Sequence, residues 1–280
     1  MCGQSRQAGA PEPPTQEGAG LTARVAVTRV RADRRAKETD EVAREFPLLV
    51  SVDGREVCRL QCSPARLEEL ALGFLHTAGL VPPGAGPPVM SCDVSDSEAR
   101  VDVRLGTSDE DVERLRRSVA MGTGCGGGLF HVKGLDPLDC ERRVNMLFET
   151  AAAELSAAMR AFQARSVVYR ETGGVHSAGV AAAGELIAFA EDVGRHNAVD
   201  KVVGHCLLNG ESLDHKVLLS SGRLSLDVVA KAIRADVPVL ASRSAPTEAA
   251  VRLARAAHLT LVGFLRGDRM NIYSAEWRVQ

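Results

Sequence analysis

The second half of the chain constrains the fold most. From Arg165 onward, short apolar runs alternate with helix-length amphipathic segments: RSVVYR, GELIAFAED, NAVDKVVGHCLL, KVLLSS, LDVVAKAIRA, VPVLAS, TEAAVRLARAA, LTLVGF and MNIYS. Apolar runs of strand length, most of them separated by a helix, belong to a largely parallel sheet covered on both faces. A three-layer α/β domain is therefore expected over residues 141–280. RSVVYR and GELIAFAED read as its first two strands, linked by Thr172 to Ser177, where paired glycines allow close backbone approach to a ligand. Cys206 falls inside a helix and reads as core.

The polar residues of this half fall at the strand-to-helix junctions EDVGRHN, SSGRLS and SRSAPT. In an open sheet such junctions share one edge and form a ligand crevice. Each ends at a helix N-terminus, which favours anions, and each supplies an arginine: Arg195, Arg223 and Arg243. Arg266 and Arg269 follow the last long strand. Guanidinium groups converging there suit a ligand with several phosphates. His176 and His196 are candidate contacts, with a buried, satisfied histidine as the alternative for each.

The first half reads differently. ARVAVTRVRA alternates apolar and polar residues, and FPLLVSVDGREVCRLQC reads as two strands turning at Asp53-Gly54. Cys58 and Cys62 share a strand face with Leu60 and should point into a core; a zinc site would need two further ligands, which nothing nearby supplies. Ser63-Pro64 offers an N-cap and first-turn proline for a core-facing helix that ends at Gly79. VMSCDV and ARVDVRL follow as a strand pair, then Ser108 caps a charged helix. These elements make a smaller α+β domain over residues 21–120. A long helix, Arg142 to Phe162, is expected to bridge the two domains.

Between the domains lies MGTGCGGGLF, within a glycine-rich segment over residues 121–140. Glycine resists both helix and strand, so Cys125 should ride on a mobile tether able to visit one partner and then swing into a pocket. Residues 1–20 hold almost no large apolar side chains and should be disordered, Cys2 included. Seven cysteines without a secretion signal do not read as a disulfide framework. The net charge of −2 gives no basic footprint for nucleic acid, and the apolar runs are too short for a membrane span. A cytoplasmic protein with reduced thiols is the expectation.

Together, TGGVHSA, EDVGRHNAVDKVVG, SSGRLS, the SAPT segment and GFLRGDRMNIYS closely resemble the FdhD family of formate dehydrogenase accessory sulfurtransferases. EFPLLVSVDGREV and SPARLEELALGFLHTAGLV resemble that family's first sheet and helix. The resemblance implies a C-terminal domain with a cytidine-deaminase-like fold and a homodimer. It also implies a sulfur carrier that takes sulfur from a cysteine desulfurase as a persulfide. The sulfur then passes to the molybdenum or tungsten bis-molybdopterin guanine dinucleotide cofactor, before insertion into the formate dehydrogenase apoprotein. Carried over by position, Cys125 becomes the persulfide site. Phe264, Leu265, Arg266, Gly267, Asp268 and Arg269 occupy the cofactor-binding stretch, and Arg195, His196, Asn197, Arg223, Arg243 and His176 would face the guanine nucleotides. No resident metal is implied.

One departure stands out. The family's usual loop is Cys-Gly-x-Cys-Gly, and here Cys125 is alone: in either register the other position is glycine, Gly128 or Gly122. One thiolate suffices to attack a donor persulfide and hold its outer sulfur. Lys133 or His131 would lower its pKa by proximity, while Cys140 shows no positive sign of acting as a second thiol. A molybdopterin-nucleotide chaperone that transfers no sulfur remains the alternative. A zinc deaminase is a rival that the sequence disfavours, since His176-Ser177-Ala178 lacks the glutamate and no Pro-Cys-x-x-Cys occurs.

Overall fold

The computed structural model describes residues 20–81, 86–120 and 143–280. Cys2, Cys125, His131, Lys133 and Cys140 lie outside the described residues. Thr22–Arg31 (β1) and Arg34–Ala43 (β2) form an antiparallel ribbon separate from the larger sheets. The alternation of ARVAVTRVRA does make a strand. However, each ribbon face carries an ion pair, Arg24–Glu41 on one and Arg29–Glu38 on the other, so neither face suits a core.

The N-terminal sheet comprises Phe46–Val52 (β3), Arg55–Cys62 (β4), Val89–Val94 (β5) and Ala99–Arg104 (β6), in the order β4-β3-β6-β5. Asp53 and Gly54 both have positive φ, 51° and 78°, as a two-residue type I′ hairpin turn requires. A register shift between Val50 and Ser51 inserts Val57 as an extra residue, so Val57 and Cys58 are both buried, along with Cys62. Leu67–Ala78 (α1) packs on this sheet and ends at Gly79, φ 87°. Its start departs from expectation. The N-cap is Arg66, at φ 55°, while Ser63 turns away to donate its N–H to Asp192 and accept from Val193 N. Asp109–Ala120 (α2) begins at Ser108, whose hydroxyl accepts from Asp111 N at 3.2 Å.

The expected bridging helix is shorter and sits elsewhere. Ala152–Arg165 (α3) covers one face of the C-terminal sheet with Leu155, Met159 and Phe162. Ahead of it the backbone is bonded to the C-terminus, Thr150 N to Arg278 O and Ala152 N to Gln280 O, and so cannot continue the helix. RSVVYR is also not a strand: Val167–Thr172 (α4) is a short helix. The Glu191 carboxylate accepts from Val168 N and Tyr169 N, both at 2.9 Å, capping that helix against the β preference of two adjacent valines.

The first strand of the domain is instead His176–Ala182 (β7), which hairpins into Glu185–Asp192 (β8). Then follow Arg195–Leu208 (α5), Val217–Ser220 (β9), Leu226–Arg234 (α6), Val239–Ser242 (β10), Glu248–Ala256 (α7), Thr260–Arg266 (β11) and Arg269–Ser274 (β12), as the sequence pattern predicts. The sheet order is β12-β11-β10-β9-β7-β8. β7 is antiparallel to both its neighbours, so β8, β9, β10 and β11 end at one edge. Helices α5, α6 and α7 pack on the face opposite α3, which gives three layers around two apolar cores. No helix among the described residues is long and apolar enough to cross a membrane.

The domains meet where α1 crosses α5. A Cβ built on Gly73 would collide with the Asp200 carbonyl oxygen, and one on Gly204 with that of Glu69, so both positions require glycine. Beside this crossing, Lys231 Nζ pairs with Asp200 at 2.7 Å and bonds Thr77 of α1 at 2.9 Å. Lys201 Nζ pairs with Asp192 at 2.6 Å and bonds Ser63 O at 3.1 Å. All four charged side chains are buried.

Candidate functional site

β9 and β10 end in the same device. Ser220 Oγ accepts from Gly222 N at 3.1 Å and Ser242 Oγ accepts from Ser244 N at 3.0 Å, turning each chain sharply at the sheet edge. Ser242 Oγ also donates to Gly222 O at 2.7 Å, tying the two turns together. Gly222 packs against Arg195 and His176, which brings the turn after β9 onto the start of α5. The N-caps of α5 and α6, Gly194 and Ser225, make no side-chain cap hydrogen bond.

A cavity of about 410 Å³ opens along this edge, lined by His176, Arg243, Arg266, Ser177, Ser221 and Ser244 among others. His176 begins β7, and its Nδ1 lies 3.3 Å from Ser221 Oγ, which also accepts from Ser177 N at 2.9 Å. Burial, and then the nearby charges of Arg195 and Arg223, hold His176 below its ordinary pKa, so it is neutral at pH 7. Arg223, Arg243 and Arg266 are exposed. Arg195, Arg223, Arg243 and Arg266 make no ion pair among the described residues, although Arg195 stands near Asp227. Arg266 Nε donates to Arg243 O at 3.2 Å, and its guanidinium lies 6.0 Å from the Phe264 ring centroid. Phe264 has φ 53°, within an irregularity of the β11–β12 pairing between Gly263 and Arg266. A left-handed non-glycine residue costs roughly 1–3 kcal/mol and is typical of ligand-holding segments.

Several residues singled out in the sequence point elsewhere. Leu265 is fully buried in the core on the α3 side. Asn197 spends its amide on Gln61 O and Asp192 Oδ1, so it braces the domain junction and is not free to touch a ligand. His196 is buried, with Nε2 4.0 Å from Asp227 Oδ2. Gly267, Asp268 and Arg269 form the exposed hairpin tip, where Asp268 meets Arg160 at 3.2 Å. Thus FLRGDR contributes chiefly Arg266 to the cavity wall.

The sequence reading missed Tyr169 and Arg170, which α4 brings into the same cavity, and the hydroxyls of Ser166, Ser177 and Ser221. A clue for α4 was available in Thr172-Gly173, which closes the helix: Gly173 has φ 65° and donates its N–H to Tyr169 O at 2.8 Å.

Four cysteines lie among the described residues. Burial pushes the thiols of Cys58, Cys62 and Cys206 up to about 12. Cys92 is the exposed one, raised by partial burial and then by Glu68 and Asp93. No group of three or more His, Cys, Asp or Glu among the described residues is arranged to hold a metal ion.

A crevice walled by Arg170, Arg243 and Arg266 at the strand ends of a mixed α/β domain, braced by a second, smaller domain, defines the class of protein. The chain matches the FdhD/NarQ family over residues 43–280 and belongs to it. It is 36% identical over 242 residues to the sulfur carrier protein FdhD of Bacillus pumilus, covering 86% of this chain and 91% of that protein. The protein of the same description from Bacillus subtilis is 34% identical over 245 residues, covering 88% and 92%. A crystal structure from Desulfotalea psychrophila, described as a formate dehydrogenase accessory protein, superposes with a TM-score of 0.74 at 26% identity. It covers 93% of this chain and 100% of that one.

Proposed function

We propose that this protein is a sulfur carrier serving a formate dehydrogenase, with the crevice as the seat of the cofactor's guanine nucleotide diphosphates. The observation that carries the reading is one cavity lined by Arg243 and Arg266, which have no ion pair among the described residues, by neutral His176 and by the hydroxyls of Ser166, Ser177, Ser221 and Ser244, with the charges of Arg195 and Arg223 close to His176. Guanidinium groups left without acids suit diphosphate oxygens, and serine hydroxyls serve as donors to the same oxygens.

Cys125 is the proposed sulfur acceptor. Its thiolate attacks the outer sulfur of a persulfide on a cysteine desulfurase; a new S–S bond forms on Cys125 while the old one breaks and releases the desulfurase thiolate. The carried sulfur then goes to the molybdenum or tungsten bis-molybdopterin guanine dinucleotide, a substrate here, before that cofactor enters the apoenzyme. A cytoplasmic homodimer is part of the same reading. The three buried cysteines support Cys125 indirectly, because thiols held at about 12 supply almost no thiolate at neutral pH.

The test is to incubate wild-type and Cys125→Ala proteins with a cysteine desulfurase and cysteine, then weigh each intact. Wild type should gain the mass of a sulfur atom and the variant should not; equal labelling of the two would sink carriage through Cys125. The lone thiol keeps a second reading open, a nucleotide-binding chaperone without sulfur transfer. That reading prevails if neither protein labels and both bind GDP.

A further inference from the structure

The ribbon of β1 and β2 has no part in the crevice or the domain junction. Its root is fixed beside the crevice. Arg44 N donates to Leu21 O at 2.9 Å, closing the base, and Ala43 lies against Gly174, two residues ahead of His176, where an added Cβ would come within 3.0 Å of it. Ten residues in each strand, at about 3.4 Å apiece, carry the tip roughly 30 Å from that root. A two-stranded ribbon is marginally stable by itself, and this one has no core on either face.

Charge is segregated along the ribbon. In the stem, Arg24 pairs with Glu41 at 2.9 Å, and Arg29 pairs with Glu38 at 2.9 Å and Asp40 at 3.1 Å. Beyond Arg29 the tip holds Arg31, Arg34, Arg35 and Lys37 against one acid, Asp33, and all five are exposed. Lys37 Nζ donates to Thr28 Oγ1 at 2.9 Å, and none of the four cations makes an ion pair among the described residues. The register sets Arg31 directly opposite Arg34 on one face, while Arg35 and Lys37 are neighbours on the other. Like charges facing each other across two strands destabilise them, so this arrangement works against the ribbon's own stability and suits contact with an anionic surface. Exposed Val30, opposite Arg35, adds an apolar contact at the same end.

We propose that the ribbon is a docking arm whose tip, Arg31, Arg34, Arg35 and Lys37 around Val30, seats on an acidic patch of the formate dehydrogenase apoprotein. The inference rests on the function proposed above and names where the client is held. A protein is favoured over a nucleic acid or a lipid surface because the whole chain carries a charge of −2, which opposes an extended polyanion, whereas a local acidic patch meets the tip alone. The root beside Gly174 and His176 places the docked client next to the crevice.

The test follows association of the full chain with the cognate apoprotein, prepared without its cofactor, by biolayer interferometry over a range of salt concentrations. Wild type should bind, at a rate that falls as salt rises. The double variant Arg34→Glu/Arg35→Glu should associate at least tenfold more slowly and lose most of the salt dependence, because charges at the rim of an interface act mainly on the on-rate. Arg34→Lys/Arg35→Lys should stay near wild type, and both variants should keep the GDP affinity and thermal midpoint of wild type. Equal rates for wild type and the glutamate variant would overturn the docking arm and leave the proposed function standing. No association of wild type would also overturn it, and sulfur labelling of Cys125 then tells whether the function falls too. Capture of duplex DNA or phosphatidylglycerol vesicles through the tip, with apoprotein association insensitive to the substitutions, would overturn it in favour of those polyanions.

Discussion

The domain junction and the crevice use the same kinds of residue to opposite ends. At the junction, Asp200 and Lys231, and Asp192 and Lys201, are buried and bonded to each other and to Thr77 and Ser63 of the other domain. In the crevice, Arg243 and Arg266 line one wall and Arg195 and Arg223 stand near His176; none of the four makes an ion pair among the described residues, although Arg195 lies near Asp227. A buried pair that satisfies itself contributes orientation and has nothing left for a ligand. Like charges held in proximity cost stability, and that cost is recovered when an anion arrives. The difference is that the junction satisfies its own charges, which suits a scaffold, while the crevice arginines are left as the proposed binding surface.

The largest effect should come from breaking the junction. Lys231→Met strands Asp200 in the interior and should cost about 3–5 kcal/mol in denaturant unfolding. Adding Asp200→Leu to it should recover most of that loss, because an apolar replacement of the whole pair leaves no orphan charge. If the single variant proves neutral, the two regions do not differ in the way described.

Crevice substitutions should show the reverse pattern. Arg243→Ala or Arg266→Ala should weaken GDP binding by about tenfold or more, since a hydrogen bond to a charged group contributes roughly 1.5–3 kcal/mol. Unfolding stability should stay level or rise slightly. A calorimetric titration set beside a melting curve separates the two readouts, and a fall in stability with unchanged affinity would reverse the assignment of roles.

The smallest effect concerns His176. Its pKa lies below the ordinary 6.5 in the folded protein, so on acidification the unfolded chain takes up a proton there before the folded one does. This histidine's contribution to stability should therefore be present above about pH 6.5 and decline as pH falls through that value. An anion in the crevice favours imidazolium, so GDP binding should take up protons and tighten over the same range. His176→Gln should flatten both dependences, measured by unfolding and by titration in buffers of different ionisation enthalpy.

Much of this was legible in the chain. The alternation after Arg195 placed every later strand and helix, because buried strands and amphipathic helices have periods that do not overlap. The junction arginines Arg195, Arg223 and Arg243 do follow strands that end at one sheet edge. What failed was local sequence overruled from afar. RSVVYR has strand composition, yet a carboxylate one strand away caps it as a helix. The segment before α3 has helical spacing, yet its amides are claimed by the C-terminus. Asn197 follows Arg195 by two residues, but the roughly 200° of helical rotation between them turns it from the crevice edge into the junction.

The glycine-to-glycine crossing of α1 and α5 bears on how this protein can be inherited and rearranged. Two halves that touch main chain to main chain, and that finish each other's buried polar bonds, do not make independent modules. A truncated gene encoding either half would expose a bare helix flank and a set of unmet charges, so recombination is expected to pass the pair on whole.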